Sequence, residues 1–217
     1  MFFVSVILGR LSGAFLLNCE LFALTLLFAL PLGLVVAFGS MSRCRVLSGA
    51  VKTFVWVIRG TPLMLQIMFI YYGLPLMLNV QISDFPAAIL AFVANYAAYF
   101  AEIFRGGIQS IPKGQYEDAK VLGFPYRQTM WHIVLPQVVK RVIPPLGNEF
   151  IALLKDSSLV SVIGFEELTR RGQLIIAKTY GSLEIWFSVA IIYLVMTLSI
   201  SRLVAYLEKR YNTDDRH

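Results

Sequence analysis

The most constraining feature is an uninterrupted apolar run, Leu21 to Phe38, which holds no charged residue. Crossing roughly 30 Å of hydrocarbon takes about 20 helical residues, because only a helix or a closed barrel satisfies every backbone polar group away from water. The pattern recurs along the chain. Thr61 to Val80, Phe85 to Ala101 and Ile185 to Ser201 are equally free of charge. Val142 to Leu154 is apolar apart from Asn148 and Glu149 and opens on Pro144–Pro145. The expected fold is therefore an all-α membrane protein with five transmembrane helices, spanning roughly 16–39, 54–79, 85–105, 137–157 and 184–207. Residues 1–217 are read as one transmembrane domain.

Composition agrees with that reading. Hydrophobic residues make up 58% of the 217 and charged ones 15%, far too little polar surface for a soluble domain of this size. A net charge of +6 raises the question of nucleic acid. The basic residues are scattered between apolar runs, which suits topology and anionic lipid and excludes a nucleic-acid face. The N-terminal apolar residues are followed by Arg10, not preceded by a cation, and the next apolar stretch exceeds a signal h-region. It is read as a retained first span. Cys19 and Cys44 show no metal or disulfide spacing, and His132 and His217 no ligand spacing. No metal and no catalytic residue is expected.

Lysine and arginine placement sets orientation. Arg43, Arg45 and Lys52 follow the first span. Arg105, Lys113, Lys120 and Arg127 occupy the long loop after the third, and Arg202, Lys209, Arg210 and Arg216 lie at the C-terminal end. The connection from Asn79 to Asp84 carries no basic residue, whereas the stretch from Lys155 to Lys178 carries four and dissents. The balance predicts an external N-terminus and a cytoplasmic C-terminus.

The loop at 106–136 reads as short amphipathic helices punctuated by Pro112, Gly114, Gly123 and Pro125. It is too polar to enter lipid and too structured for a linker, which suits docking to a protein at the membrane face. Glu117-Asp118-Ala119, then Gly123, then Ile133-x-Leu135-Pro136 resembles the EAA loop of binding-protein-dependent ABC importer permeases of type I. Asp118 stands where that motif's name implies alanine. Further stretches agree in order: Arg59-Gly-Thr-Pro-Leu, Tyr71-Tyr-Gly-Leu-Pro, Ala98-Tyr-Phe-Ala-Glu-Ile-Phe-Arg-Gly, Pro144-Pro-Leu-Gly-Asn-Glu-Phe-Ile and Leu154-Lys-Asp-Ser-Ser-Leu. Together they resemble the polar amino acid branch, whose cargoes include arginine, lysine, histidine, glutamine, glutamate and cystine.

The resemblance implies a bacterial cytoplasmic (inner) membrane protein, two ATPase subunits, a second permease chain, identical or paralogous, and an external solute-binding protein. Lys113, Gly114, Glu117, Asp118, Ala119 and Gly123 would form a coupling helix on the ATPase. ATP and Mg would belong to that partner, since this chain lacks the G-x-x-x-x-G-K-[ST] phosphate cradle and needs no cofactor of its own.

Ionisable and amide groups inside spans are expensive and mark candidate function. Asn95, Tyr99 and Glu102 share one helical face of the third span. Glu149 and Asp156 lie two turns apart on the fourth, about 10 Å along the axis, and Gln66 lies in the second. If these faces meet, they enclose a polar chamber of negative character. A cationic amino acid is the expected cargo, with Glu149, Asp156, Asn95 and Gln66 as its contacts. Glu102, beside Arg105, is expected at the interface; the alternative role for Asp156 is an ion pair with Lys155 or an outer gate element, and that for Asn95 is a hydrogen bond between helices. Ser161 to Gly181, containing Phe165-Glu-Glu-Leu-Thr-Arg-Arg, is either a short external helix or a packed piece closing the chamber. A secondary transporter would show inverted repeats and paired half-helices, and a membrane enzyme a cluster of His, Asp or Cys. The sequence has neither.

Overall fold

The computed structural model describes residues 2–179 and 181–212. The polar tail 213–217, with Arg216 and His217, lies outside the described residues, as do the side chains of residues 2–8 and Arg10. Ten α-helices carry the described chain: α1 (Phe2–Ser40), α2 (Arg45–Gly60), α3 (Leu63–Met68), α4 (Leu74–Leu78), α5 (Asp84–Gln109), α6 (Lys113–Val121), α7 (Tyr126–Gln128), α8 (Leu135–Asp156), α9 (Leu168–Thr179) and α10 (Ser182–Asn212). Wider π turns at Phe69–Gly73 and Thr129–Val134 and a 3-10 turn at Ser157–Ile163 join some of them. No strand occurs among the described residues, as the apolar pattern requires.

The bundle is organised around α5. Ala87, Ala88, Ala91, Ala97, Ala98 and Ala101 are buried along it, with Phe92, Tyr96 and Phe100 filling the gaps. Small residues let α1 lie against α5 along most of its length. At the closest approach a Cβ on Gly33 would stand 2.8 Å from Phe100 Cβ and 3.1 Å from the Ala97 carbonyl. Lipid supplies no hydrophobic drive between helices, so this close van der Waals packing is what holds them.

Leu11–Ser40, Asp84–Gln109 and Ser182–Tyr211 are each long and apolar enough to cross a membrane. The second expected span, 54–79, is not one straight helix. Arg45–Gly60 and Leu63–Leu78 meet at 106°, so they count together as a broken span. Proline explains the corner: Pro62 forces Thr61 into extended backbone (φ −119°, ψ 144°), which ends α2. The fourth expected span, 137–157, is α8, a continuous helix through Pro144 and Pro145. Lys140, Arg141, Glu149, Lys155 and Asp156 lie along it, so apolarity alone does not qualify it as a span.

Of the stretch Ser161 to Gly181, the residues up to Thr179 form a packed piece. Phe165 stacks on Phe85 at 5.5 Å, and Leu168, Gly172 and Ile175 of α9 are buried. Fully buried Glu167 accepts the Thr169 and Arg170 N–H groups at 2.7 and 2.8 Å, which satisfies donors orphaned at the start of α9. Tyr193 of α10 donates its hydroxyl to the same carboxylate at 2.8 Å. Asn18 of α1 donates to Ser157 Oγ at 2.7 Å and to the Tyr193 hydroxyl at 3.1 Å, and accepts the Leu168 N–H at 3.0 Å. Every member of this buried network has a partner, and four segments distant in sequence are fixed by it.

A candidate cargo chamber and a coupling surface

The corner between α2 and α3, the middle of α5 and the second half of α8 border an open cavity of about 630 Å³. Arg59, Gly60, Thr61, Pro62 and Leu63 line it from the corner, Asn95, Tyr96 and Tyr99 from α5, and Glu149, Ala152 and Asp156 from α8. The seven-residue spacing of Glu149 and Asp156 places both on the chamber side of one helix, as helical periodicity requires. Tyr96 donates its hydroxyl to Asp156 Oδ2 at 2.8 Å. That bond ties α5 to α8 and leaves the second carboxylate oxygen of Asp156 for another donor. The neighbouring Lys155 lines a different cavity, with Ser158, Thr169 and Tyr193, and so is not the partner of Asp156 in the chamber wall.

The structure brings Glu149, Asp156 and Asn95 together and leaves Gln66 behind the wall. The Gln66 amide donates to the Ile58 carbonyl at 2.7 Å, the Thr61 carbonyl at 3.1 Å and Thr61 Oγ1 at 2.9 Å. It thereby ties together the backbone on both sides of the corner. Its oxygen accepts from Asn95 Nδ2 at 3.0 Å, so Gln66 orients Asn95 and does not itself face the chamber. Tyr96 and Arg59 were not among the residues expected at the chamber. A tyrosine within an apolar run reads as core, and Arg59 lies outside the uncharged segments.

Glu102 does not line the chamber. Its two carboxylate oxygens accept from Arg105 at 3.0 and 2.5 Å, at the end of α5 nearest the α6 loop, in keeping with its expected place beside Arg105.

The loop at 106–136 folds against the start of α8. Ile111, Val134, Val138 and Val142 form a small core with Ile108 and Tyr116 packed on it. Gln115 and Gln137 exchange amide hydrogen bonds at 3.0 and 2.5 Å, and Arg141 donates to Ser110 Oγ at 2.9 Å. The Ala119-to-Gly123 spacing has a local cause. The Phe124 N–H reaches the Ala119 carbonyl at 2.9 Å and the Gly123 N–H the Lys120 carbonyl at 3.0 Å, the paired bonds that close a helix C-terminus around a left-handed residue. Gly123 holds that position at φ +79°. Ala119 is buried, while Lys113, Gly114, Glu117, Asp118 and Gly123 are exposed. Beside them stand Val121 (87% exposed), Leu122 (74%) and Tyr126 (73%), three large apolar groups that the described residues leave mostly uncovered. The expected coupling residues omitted this apolar part, because exposure cannot be read from a short amphipathic stretch.

Residues 29–213 match the family described as binding-protein-dependent transport system inner membrane component. The glutamine transport system permease protein of Escherichia coli is 43% identical over 182 residues, covering 83% of each chain. The arginine transport system permease protein of Bacillus subtilis is 37% identical over 199 residues, covering 92% of this chain and 91% of its own. The structure described as an amino acid ABC transporter with histidines is 38% identical, with a TM-score of 0.85, over 96% of this chain and 95% of that one. The MetNI methionine ABC transporter shares the fold, with a TM-score of 0.70 at 15% identity over 97% of this chain and 98% of that one. With the bundle, the polar chamber and the structured loop of this geometry, the chain belongs to the inner membrane components of binding-protein-dependent transport systems.

Proposed function

We propose that this chain is the permease subunit of an ATP-driven importer, and that its cargo is a polar amino acid of cationic character, such as arginine, lysine or histidine. What carries the reading is the pair of carboxylates, Glu149 and Asp156, on one wall of a cavity of about 630 Å³. Binding sites for small molecules run to about 300–1,000 Å³ and place a few polar groups in otherwise fixed walls. Here Asp156 is held by Tyr96 and Asn95 by Gln66, so two polar groups of the wall are oriented before cargo arrives. Acidic groups in a low-dielectric bundle attract a cargo that brings positive charge. The names of the relatives, which include glutamine and arginine systems, support amino acid import as the class.

The rest of the machine follows from the loop. Two ATPase subunits would dock on the α6–α7 surface of two permease chains, this one and an identical or paralogous copy. The Val121, Leu122 and Tyr126 patch would supply the apolar contact, and Lys113, Glu117 and Asp118 its charged rim. Closure on ATP and Mg, both held by the ATPase, would rock the two permeases and open the chamber to a solute-binding protein outside. Hydrolysis would return the chamber to the cytoplasmic side. The N-terminus would lie outside and the C-terminus in the cytoplasm.

The test is uptake by the reconstituted transporter with its binding protein, comparing arginine, histidine and glutamine. Glu149→Gln is expected to depress arginine and histidine uptake about tenfold, with glutamine changed far less. Equal losses for all three would overturn the cationic preference and favour glutamine, the cargo in the name of the 43% identical relative.

A further inference from the structure

Two cavities meet at Arg59. The chamber of Glu149 and Asp156 and a second cavity of about 560 Å³, lined by Lys52, Val55, Trp56, Glu102 and Arg105, share Arg59 and Gly60 in their walls. The second cavity lies toward the α6 loop, where α5 ends. Arg59 therefore stands at the loop-side end of the chamber, and it is the sole cation among the described residues that line it.

Its guanidinium is positioned without its hydrogen-bonding fork being filled. The group lies over the Tyr99 ring, 5.0 Å from its centre, a cation–π contact that takes none of its N–H donors to an acceptor oxygen. Its ion pair with Glu102 spans 3.8 Å, longer than a hydrogen bond, and both Glu102 oxygens already accept from Arg105. An amino acid entering this chamber carries its α-carboxylate toward two fixed carboxylates, an arrangement that repels unless a cation receives it. A guanidinium matches a carboxylate through two parallel N–H donors, which an ammonium cannot do.

We propose that Arg59 is the specificity-determining residue that receives the α-carboxylate of the cargo, while Glu149 and Asp156 receive its positive groups. The cargo then lies with its carboxylate end toward the loop-side cavity. One cation and two anions in the wall complement one anion and two cations in the cargo, so the wall selects cationic amino acids over the corresponding amines. This inference rests on the chamber being the cargo site.

The test uses the permease–ATPase complex in lipid nanodiscs without any solute-binding protein, so that only the chamber discriminates. The probes are radiolabelled arginine and glutamine, competed by their decarboxylated counterparts agmatine and 4-aminobutanamide. Wild type is expected to prefer arginine over agmatine by about tenfold to a hundredfold, the range of a charge-assisted hydrogen bond. Arg59→Gln should lose that preference by weakening arginine and leaving agmatine at least as tight, and Arg59→Lys should keep part of it. Equal weakening of acid and amine, or a preference unchanged in Arg59→Gln, overturns the assignment. Glu149→Gln and Asp156→Asn run in parallel. If neither weakens arginine, or wild type binds neither amino acid, the chamber reading itself fails. If they do and Arg59→Gln is silent, only the role of Arg59 fails. Retention of the ATPase on size exclusion shows that each variant is folded, and Arg59→Lys decides if Arg59→Gln does not assemble.

Discussion

The Tyr96 hydroxyl donates to Asp156 Oδ2 at 2.8 Å, joining the centre of α5 to the end of α8 across the chamber wall. The tyrosine ring is buried among Phe92, Tyr99 and Phe100, so its hydroxyl is held in place by packing and aims the carboxylate. Tyr96→Phe removes the donor and keeps the ring. A hydrogen bond to a charged group contributes about 1.5–3 kcal/mol, so uptake of a cationic amino acid is expected to fall at least about tenfold. Reconstituted uptake, with expression and thermal stability measured alongside, checks this. Unchanged uptake would show that the bond from Tyr96 does not aim Asp156 for transport.

Gly123 closes α6 at φ +79° with open space where a Cβ would sit, so any cost of replacing it lies in the backbone. A left-handed conformation costs an L-residue roughly 1–2 kcal/mol, and asparagine tolerates it better than a β-branched residue. Gly123→Val is expected to weaken capture of the ATPase more than Gly123→Asn. Co-purification of the ATPase from membranes measures both. An order reversed, or two identical captures, would place the effect of Gly123 outside its backbone conformation.

Leu122 and Val121 stand 74% and 87% exposed at the end of α6. Changing Leu122 to Asp removes little packing among the described residues. Its thermal midpoint in detergent should therefore stay near that of wild type while ATPase capture and ATP-dependent uptake are lost. Burying a leucine side chain contributes about 1.5–3 kcal/mol, and an aspartate in its place adds the cost of desolvating a charge. Full capture by Leu122→Asp would move the docking surface away from this patch.

Gly33 and Gly49 lie on neighbouring helices and predict opposite results. A Cβ at Gly33 would stand 2.8 Å from Phe100 Cβ and 3.1 Å from a backbone carbonyl, whereas one at Gly49 meets nothing within 4 Å. Gly33→Ala must push α1 off α5, and overpacking of this kind costs about 1–3 kcal/mol. Gly49→Ala should be neutral or stabilising by up to about 1 kcal/mol, because alanine favours helix over glycine. Thermal unfolding in one detergent compares them directly.

Much of this architecture is legible in the sequence because its causes are local. Charge-free runs long enough for hydrocarbon mark α1, α5 and α10, since lipid demands internally bonded backbone wherever the chain crosses. The Ala119-to-Gly123 spacing is a helix C-terminus written in residue types. Glu149 and Asp156 share a face because seven residues make nearly two turns. What only the tertiary structure decided is which faces meet. Gln66 reads as a chamber residue until the corner at Pro62 brings the Ile58 and Thr61 carbonyls within reach of its amide. Tyr96 reads as core until α8 brings Asp156 to its hydroxyl, and Arg59 reads only as the start of an Arg-Gly-Thr-Pro-Leu stretch until the bend carries it to the chamber wall. A helix period says which residues share a side; it carries no information about the partner helix opposite, whose position follows from close packing such as that of Gly33 on Phe100.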